Sequence, residues 1–197
     1  MSRVSPLKNI IKIGKFGNFE NKKKLTKISE VKDLLVFQVV KYKNSNLNTS
    51  ALKLDQLNLP SKNRSSSNKE TRILWMGPNT WFVISKNNNF KEKILNTFSE
   101  KDFSVTDLSH SRAVIQLEGD SVKEILKKGC PIDIDSFLED SCANSVFNGI
   151  TITIDLLKEK PETLVWIMAL RSFGNSLYES ISDATLEFGL ENRKLDN

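Results

Sequence analysis

Residues 103–135, FSVTDLSHSRAVIQLEGDSVKEILKKGCPIDID, decide the reading of this chain, because a polar turn, a half-buried strand and an amphipathic helix follow one another within them. Ser109, His110 and Ser111 mark the turn, and Val114, Ile115 and Leu117 build the strand. Gly119-Asp120-Ser121 then opens a helix whose apolar face is Val122, Ile125 and Leu126. The stretch specifies architecture and carries little that could run a reaction.

Downstream, residues 142–147 and 150–157 are β-rich and are broken by Asn148-Gly149, a strong hairpin signal. Residues 164–170 (LVWIMAL) are continuously apolar, as a central strand is, and Ser172 is placed to cap a last helix. That helix presents Leu177, Ile181, Ala184 and Phe188 and stops at Gly189. Upstream, RILWM and TWFVIS flank Gly77-Pro78-Asn79 as two strands flank a turn, and Phe90, Ile94, Leu95 and Phe98 recur at helical spacing. Residues 33–42 (DLLVFQVVKY) read as another strand. Residues 60–70 (PSKNRSSSNKE) hold no apolar side chain apart from Pro60 and read as a flexible loop. The order over the patterned part is β-β-α-β-β-α-β-β-β-α. Helices separated by paired strands imply an α+β fold with antiparallel or mixed sheets, and two successive β-β-α-β-like runs suggest duplicated split-βαβ units.

At 197 residues, 39% hydrophobic and 27% charged, the chain has the composition of an ordered globular protein with one good-sized core. The expected organisation is a basic arm (1–30), a single body (31–190) and a tail (191–197). No apolar run approaches the roughly 20 residues of a membrane-spanning helix. The N-terminus lacks the apolar block of a secretory signal, so a cytoplasmic location is expected. The net charge is +5, yet residues 1–30 hold Arg3, Lys8, Lys12, Lys15, Lys22, Lys23, Lys24 and Lys27 against Glu20 and Glu30 alone. The remainder is close to neutral. With only Phe16 and Phe19 available for base stacking, the arm suits an acidic protein surface better than nucleic acid, although an RNA-binding adaptor would use the same lysines.

These landmarks, taken together, resemble the gamma subunit of heterotetrameric sarcosine oxidase. WMGPNTWFVIS is similar to that family's tryptophan-glycine-proline-x-x-tryptophan hairpin, and VTDLSHSRAVIQLEG to its aspartate-x-serine-x-x-arginine strand entry. KKGCPIDID resembles its glycine-cysteine-proline segment, and LRSFGNSLYE its arginine-serine-phenylalanine helix start. The resemblance covers roughly residues 72–189 and leaves the lysine-rich arm unmatched. It implies a fold related to the folate-binding domain of the glycine-cleavage aminomethyltransferases. It further implies a non-catalytic place beside alpha, beta and delta subunits in a complex that oxidatively demethylates sarcosine to glycine. FAD, FMN, NAD and tetrahydrofolate are then expected in the partner subunits. A homologous subunit occurs in N-methylglutamate dehydrogenase complexes, so a related N-methyl amino acid dehydrogenase is an alternative.

The residues agree with a chain that holds no cofactor of its own. Neither G-x-G-x-x-G nor G-x-x-x-x-G-K-[ST] occurs, so no dinucleotide turn and no P-loop can form. Cys130 and Cys142 belong to no C-x-x-C pair and His110 is the only histidine, which fits no zinc pattern. Asp107, Ser109, His110 and Ser111 are too close in sequence to converge as a hydrolytic triad and suit turn hydrogen bonds instead. Asp133 falls near the position where aminomethyltransferases carry the aspartate that attends the folate nitrogens. That makes it the folate candidate, and a stand-alone folate-binding, aminomethyltransferase-like protein the rival reading. His110, Arg112 and Arg171 are the candidates for contact with a partner chain, the arginines because a guanidinium beside a strand can clamp a neighbour's carboxylate.

Overall fold

The computed structural model describes residues 5–8, 10–20, 24–87 and 89–194. Its strands and α-helices run β1 (Gly14–Phe16), β2 (Thr26–Glu30), β3 (Leu35–Lys41), β4 (Lys53–Leu54), β5 (Leu57–Asn58), β6 (Ser65–Ser67), β7 (Thr71–Gly77), β8 (Thr80–Ser85), α1 (Phe90–Thr97), β9 (Phe103–Asp107), β10 (Arg112–Gly119), α2 (Val122–Lys127), β11 (Cys142–Phe147), β12 (Ile150–Lys158), β13 (Thr163–Leu170), α3 (Gly174–Thr185) and β14 (Leu190–Asn192). From β7 to α3 this is the order that the periodicity implies, and the α+β class with antiparallel and mixed sheets holds. The single body expected from sequence resolves into two compact units: Asp33–His110, and Met1–Lys32 with Ser111–Asn197. The physical reason is that each unit has its own sheet with an apolar face and its own helical cover.

In the unit Asp33–His110 the main sheet has strand order β6-β7-β8-β3-β9. Alternation in β3 puts Leu35, Phe37 and Val39 on one face, where Ile73, Trp81 and Val83 join them beneath Phe90, Ile94 and Phe98. Strands β8 and β9 flank β3, both antiparallel to it, and α1 carries the chain between them, which is a split βαβ unit. Phe98 and Phe103 close this core edge to face, ring centroids 5.1 Å apart. Each of these fully buried aromatic side chains stabilises the unit by roughly 1.5–3 kcal/mol. Leu95, grouped with this face by its spacing, points outward and is 44% exposed. The segment 60–70, expected to be a flexible loop, contains β6, whose three serines pair with Arg72, Ile73 and Leu74 of β7. An edge strand whose side chains are all serine has no apolar alternation to read.

The second unit contains the sheet β1-β14-β2-β10-β13-β12-β11. Its core gathers Ile115 and Leu117 of β10, Ile152, Ile154 and Leu156 of β12, and Val165 and Ile167 of β13 under α2 and α3. The hairpin β11–β12 turns at Asn148 (φ 46°) and Gly149 (φ 82°), the paired left-handed conformations that this dipeptide favours. α3 begins at Gly174, one short 3₁₀ turn (Arg171–Phe173) after β13, with Phe173 at its N-cap, so Ser172 is not the cap. The helix buries Leu177, Ile181 and Ala184 and yields to a second 3₁₀ turn that stops at Gly189.

The described N-terminal residues, expected to form a basic arm outside the body, are built into this sheet. Leu7 is fully buried, Phe16 packs on the core, and β2 lies between β14 and β10. Thr26, Ile28 and Glu30 share one face and Lys27 and Ser29 the other, an alternation hidden in sequence by lysine density. Arg3, Lys22 and Lys23 of the arm lie outside the described residues. The expected tail from residue 191 likewise begins inside β14, which pairs parallel to β2 and antiparallel to β1, while residues 195–197 lie outside the described residues.

Candidate functional site

The turn at residues 107–110 ends the first unit, and its polar groups are spent on the backbone. Ser109 N–H donates to Asp107 Oδ1 at 2.9 Å, and Val36 N–H donates to Ser109 Oγ at 3.0 Å. These bonds hold the turn against β3 and leave Ser109 unsuited to nucleophilic work. His110 is exposed.

Arg112 opens β10 in the second unit. In register it faces Leu170, the last residue of β13, and Arg171 N–H donates to the Ser111 carbonyl at 2.9 Å. The two arginines singled out from sequence therefore sit at the same end of one antiparallel strand pair, although they are far apart along the chain. Arg112 Nη1 donates to both Ser111 oxygens, at 3.3 Å (O) and 3.2 Å (Oγ), and burial pushes the guanidinium pKa below its ordinary value. Leu170 and Phe173 beside them are 47% and 48% exposed. Sequence reasoning missed both. Leu170 closes an apolar run that reads as all interior, and Phe173 stands at a helix entrance, where apolar residues ordinarily pack inward. The available signal was their i, i+3 spacing across a break in β alternation.

Asp133 is exposed, in the segment that follows α2. Its backbone carbonyl accepts from Ser136 Oγ at 2.7 Å, the bond of a local turn. A cleft of about 280 Å³ opens elsewhere in the same unit, lined by Lys15, Phe19, Lys24, Leu25, Lys27, Glu162 and Glu191. Two of its lysines are matched by carboxylates: Lys27 Nζ reaches Glu118 at 2.8 Å and Glu162 at 3.0 Å, and Lys24 Nζ reaches Asp120 at 3.2 Å. A ligand anion would compete with these pairs. Cys130 and Cys142 are buried and form no disulfide, and burial raises the Cys130 thiol to about 11. Among the described residues no group of three His, Cys, Asp or Glu could hold a metal ion, and no helix is long and apolar enough to cross a membrane.

Over 126 residues the chain is 28% identical to the sarcosine oxidase subunit gamma of Corynebacterium sp. strain P-1, a match that spans 61% of this chain and 60% of that protein. In fold it superposes on a chain of the heterotetrameric sarcosine oxidase from Corynebacterium sp. U-96, solved in complex with pyrrole 2-carboxylate. The TM-score is 0.79 at 20% identity, covering 94% of this chain and 96% of that one. The chain resembles sarcosine oxidase gamma subunits. The resemblance carried by the four sequence landmarks is thus met independently in sequence and in fold. The matched stretch of the curated relative is still less than two thirds of its length. The related fold is present too: glycine cleavage system aminomethyltransferase T from Bartonella henselae matches with a TM-score of 0.60 at 13% identity, over 85% of this chain and 47% of that one. No family model matches.

Proposed function

We propose that this chain is the gamma subunit of a heterotetrameric sarcosine oxidase, a subunit without an active site of its own in a cytoplasmic complex that demethylates sarcosine to glycine. The observation that carries the reading is the near end-to-end superposition on a chain of that heterotetramer, joined to a sequence match with a gamma subunit. The absence of phosphate-binding glycine motifs from the sequence is consistent with FAD, FMN, NAD and tetrahydrofolate residing in the alpha, beta and delta partners. His110, Arg112 and Arg171 are the residues we assign to partner contact. Co-expression of the four chains with a tag on the alpha subunit tests the reading, and this chain is expected to co-purify in equal proportion. Normal assembly and folate-coupled turnover in its absence would count decisively against it.

The likeness to aminomethyltransferase T favours a second reading, a stand-alone folate-binding protein with Asp133 at the ligand. Calorimetric titration of the isolated chain with tetrahydrofolate separates the two. Binding that Asp133→Asn weakens would support the second reading, and the absence of heat at high ligand concentration removes it.

A further inference from the structure

We propose that the cleft beside β1 is a binding site for a small zwitterion, an amino acid with an apolar body whose carboxylate meets Lys15 and whose ammonium meets Glu191. The site lies within the second unit and is independent of the subunit reading, which gives this chain no small ligand. Lys15, Glu191, Lys27 and Glu118 are successive cross-strand partners on β1, β14, β2 and β10, so they line up on one face of the sheet with alternating charge. The far pair of this row is joined, Lys27 to Glu118 at 2.8 Å, and Glu162 closes on Lys27 at 3.0 Å. The near pair is not. Among the described residues Lys15 has no carboxylate within ion-pair reach, and Glu191 turns to Arg193 Nε at 3.3 Å. Lys15 and Glu191 both line the cleft.

Phe19 and Leu25 supply the apolar walls. They come together over Gly189, whose φ is +77° and where a Cβ would lie 2.7 Å from Leu25 Cδ2 and 3.2 Å from Phe19 Cα. Phe19 is 36% exposed, which leaves its ring available to an apolar side chain. The charges select the ligand. A plain anion drawn to Lys15 meets Glu191 directly across the ladder, and a plain cation drawn to Glu191 or Glu162 meets three lysines. A molecule that carries both charges close together satisfies Lys15 and Glu191 at once and leaves the Lys27 clamp closed. Size agrees with this, because about 280 Å³ lies just under the roughly 300–1,000 Å³ of pockets for drug-sized ligands and suits a single amino acid.

Titration of the isolated full-length chain, followed in amide NMR spectra, tests the site with three probes that share one apolar body: L-leucine, isocaproate, which lacks the amine, and isoamylamine, which lacks the carboxylate. Leucine should shift the amides of Lys15, Phe19, Leu25 and Glu191 and saturate in the millimolar range, as two exposed ion pairs allow. Each single-charge probe should bind at least about threefold more weakly. Lys15→Ala should weaken leucine by a similar factor. Glu191→Gln should weaken leucine yet strengthen isocaproate, an inversion that a structural role alone would not produce. Lys91→Ala, exposed on α1 of the other unit, should change nothing. Isocaproate that binds as tightly as leucine and is indifferent to Glu191→Gln would mark the cleft as a simple anion site and overturn the proposal. So would the absence of shifts at these four amides up to the solubility limit of leucine. Either result leaves the co-purification test of the subunit reading untouched, so the two fail separately.

Discussion

The unit Asp33–His110 and the unit built from both chain ends use the same materials, a mainly antiparallel sheet under helices, but draw them from different distances along the chain. In the first, every strand of the main sheet comes from one continuous segment, and the hairpin β7–β8 and the β8–α1–β9 crossover connect near neighbours. In the second, the hairpins β11–β12 and β12–β13 are equally local, yet β1 pairs Phe16 with Leu190 and β2 pairs Ile28 with Leu117 and Asn192. Contacts between distant segments carry a larger loop-closure entropy before they contribute anything. The difference teaches that the two units should fail in different ways: the first when its local core is cut, the second when the seam joining its ends is opened.

The largest effect expected on the local side is Phe98→Ala. It removes a fully buried ring and half of the Phe98–Phe103 pair, and should destabilise the protein by about 3–5 kcal/mol in urea unfolding. Amide exchange followed by mass spectrometry should then rise across residues 33–110 and stay near wild type in β11–β13. A uniform rise throughout the chain would erase the distinction between the two units.

The seam has its own weak point at Gly17. Its φ is +69°, and a Cβ there would lie 2.2 Å from the Leu186 carbonyl oxygen, with backbone atoms of Leu186 on the other contacts. Gly17→Ala therefore combines a left-handed conformation with a clash against main chain, and should cost about 2–4 kcal/mol. Exchange should increase first in β1 and β14 while the local hairpins of the same unit keep their protection. If β11–β13 open together with β1, the seam is not a separate element of stability.

The same contrast separates what sequence disclosed from what it concealed. From β7 to α3 the elements follow from local signals: alternation in RILWM and TWFVIS, the Asn148-Gly149 turn, and the apolar spacing of Val122, Ile125 and Leu126. The seam strands escaped because two of them are three residues long and the third is read through a run of lysines. Thr26, Ile28 and Glu30 alternate towards the core, but Lys24 and Lys27 dominate the composition. Ser172 was a plausible cap that the intervening 3₁₀ turn displaced. At the candidate site, Arg112 and Arg171 could each be singled out alone. Their meeting at one strand end, and the exposure of Leu170 and Phe173 beside them, depend on the β10–β13 register, which no local pattern encodes.

A smaller effect sharpens the comparison through electrostatics. In the local unit Asp55 accepts from Lys93 Nζ, from Thr71 Oγ1 at 2.7 Å and from Asn68 Nδ2 at 3.2 Å, tying the β4–β5 turn to α1 and β7. The Lys93 ammonium first, then the Thr71 hydroxyl, hold its carboxyl below the ordinary range. A depressed folded pKa stabilises the native state above the unfolded value of about 3.9, and that contribution is lost as pH falls through the folded value. Asp55→Asn should therefore lower stability at pH 7 by about 1 kcal/mol, with the two proteins converging in acid. A constant gap down to low pH would mean that the carboxylate charge is irrelevant and only side-chain shape matters.

The smallest effect belongs to the counterpart in the other unit, where Glu162 and Glu118 bracket Lys27 and so tie β2 to β10 and to the segment entering β13. Glu162 is held below its ordinary pKa chiefly by its hydrogen bond from Lys27, and Lys27 is raised, first by Glu118 and then by Glu162. The two shifts bound a window. The glutamate's share is lost as pH falls through its depressed value, and the lysine's share is lost as pH rises through its raised one. Both side chains are about a quarter exposed, so solvent screening limits the gain to about 0.5–1 kcal/mol. Glu162→Gln should reduce stability by that amount at neutral pH and by less at high salt, with added exchange in β2 and none in β3 or β9. Because this clamp spans distant segments while the Asp55 clamp is local, the two substitutions should have opposite exchange maps at similar cost. If Glu162→Gln instead loosens β11–β13 as much as β2, the ends and the hairpins of this unit form one cooperative body, and the seam is only a feature of chain connectivity.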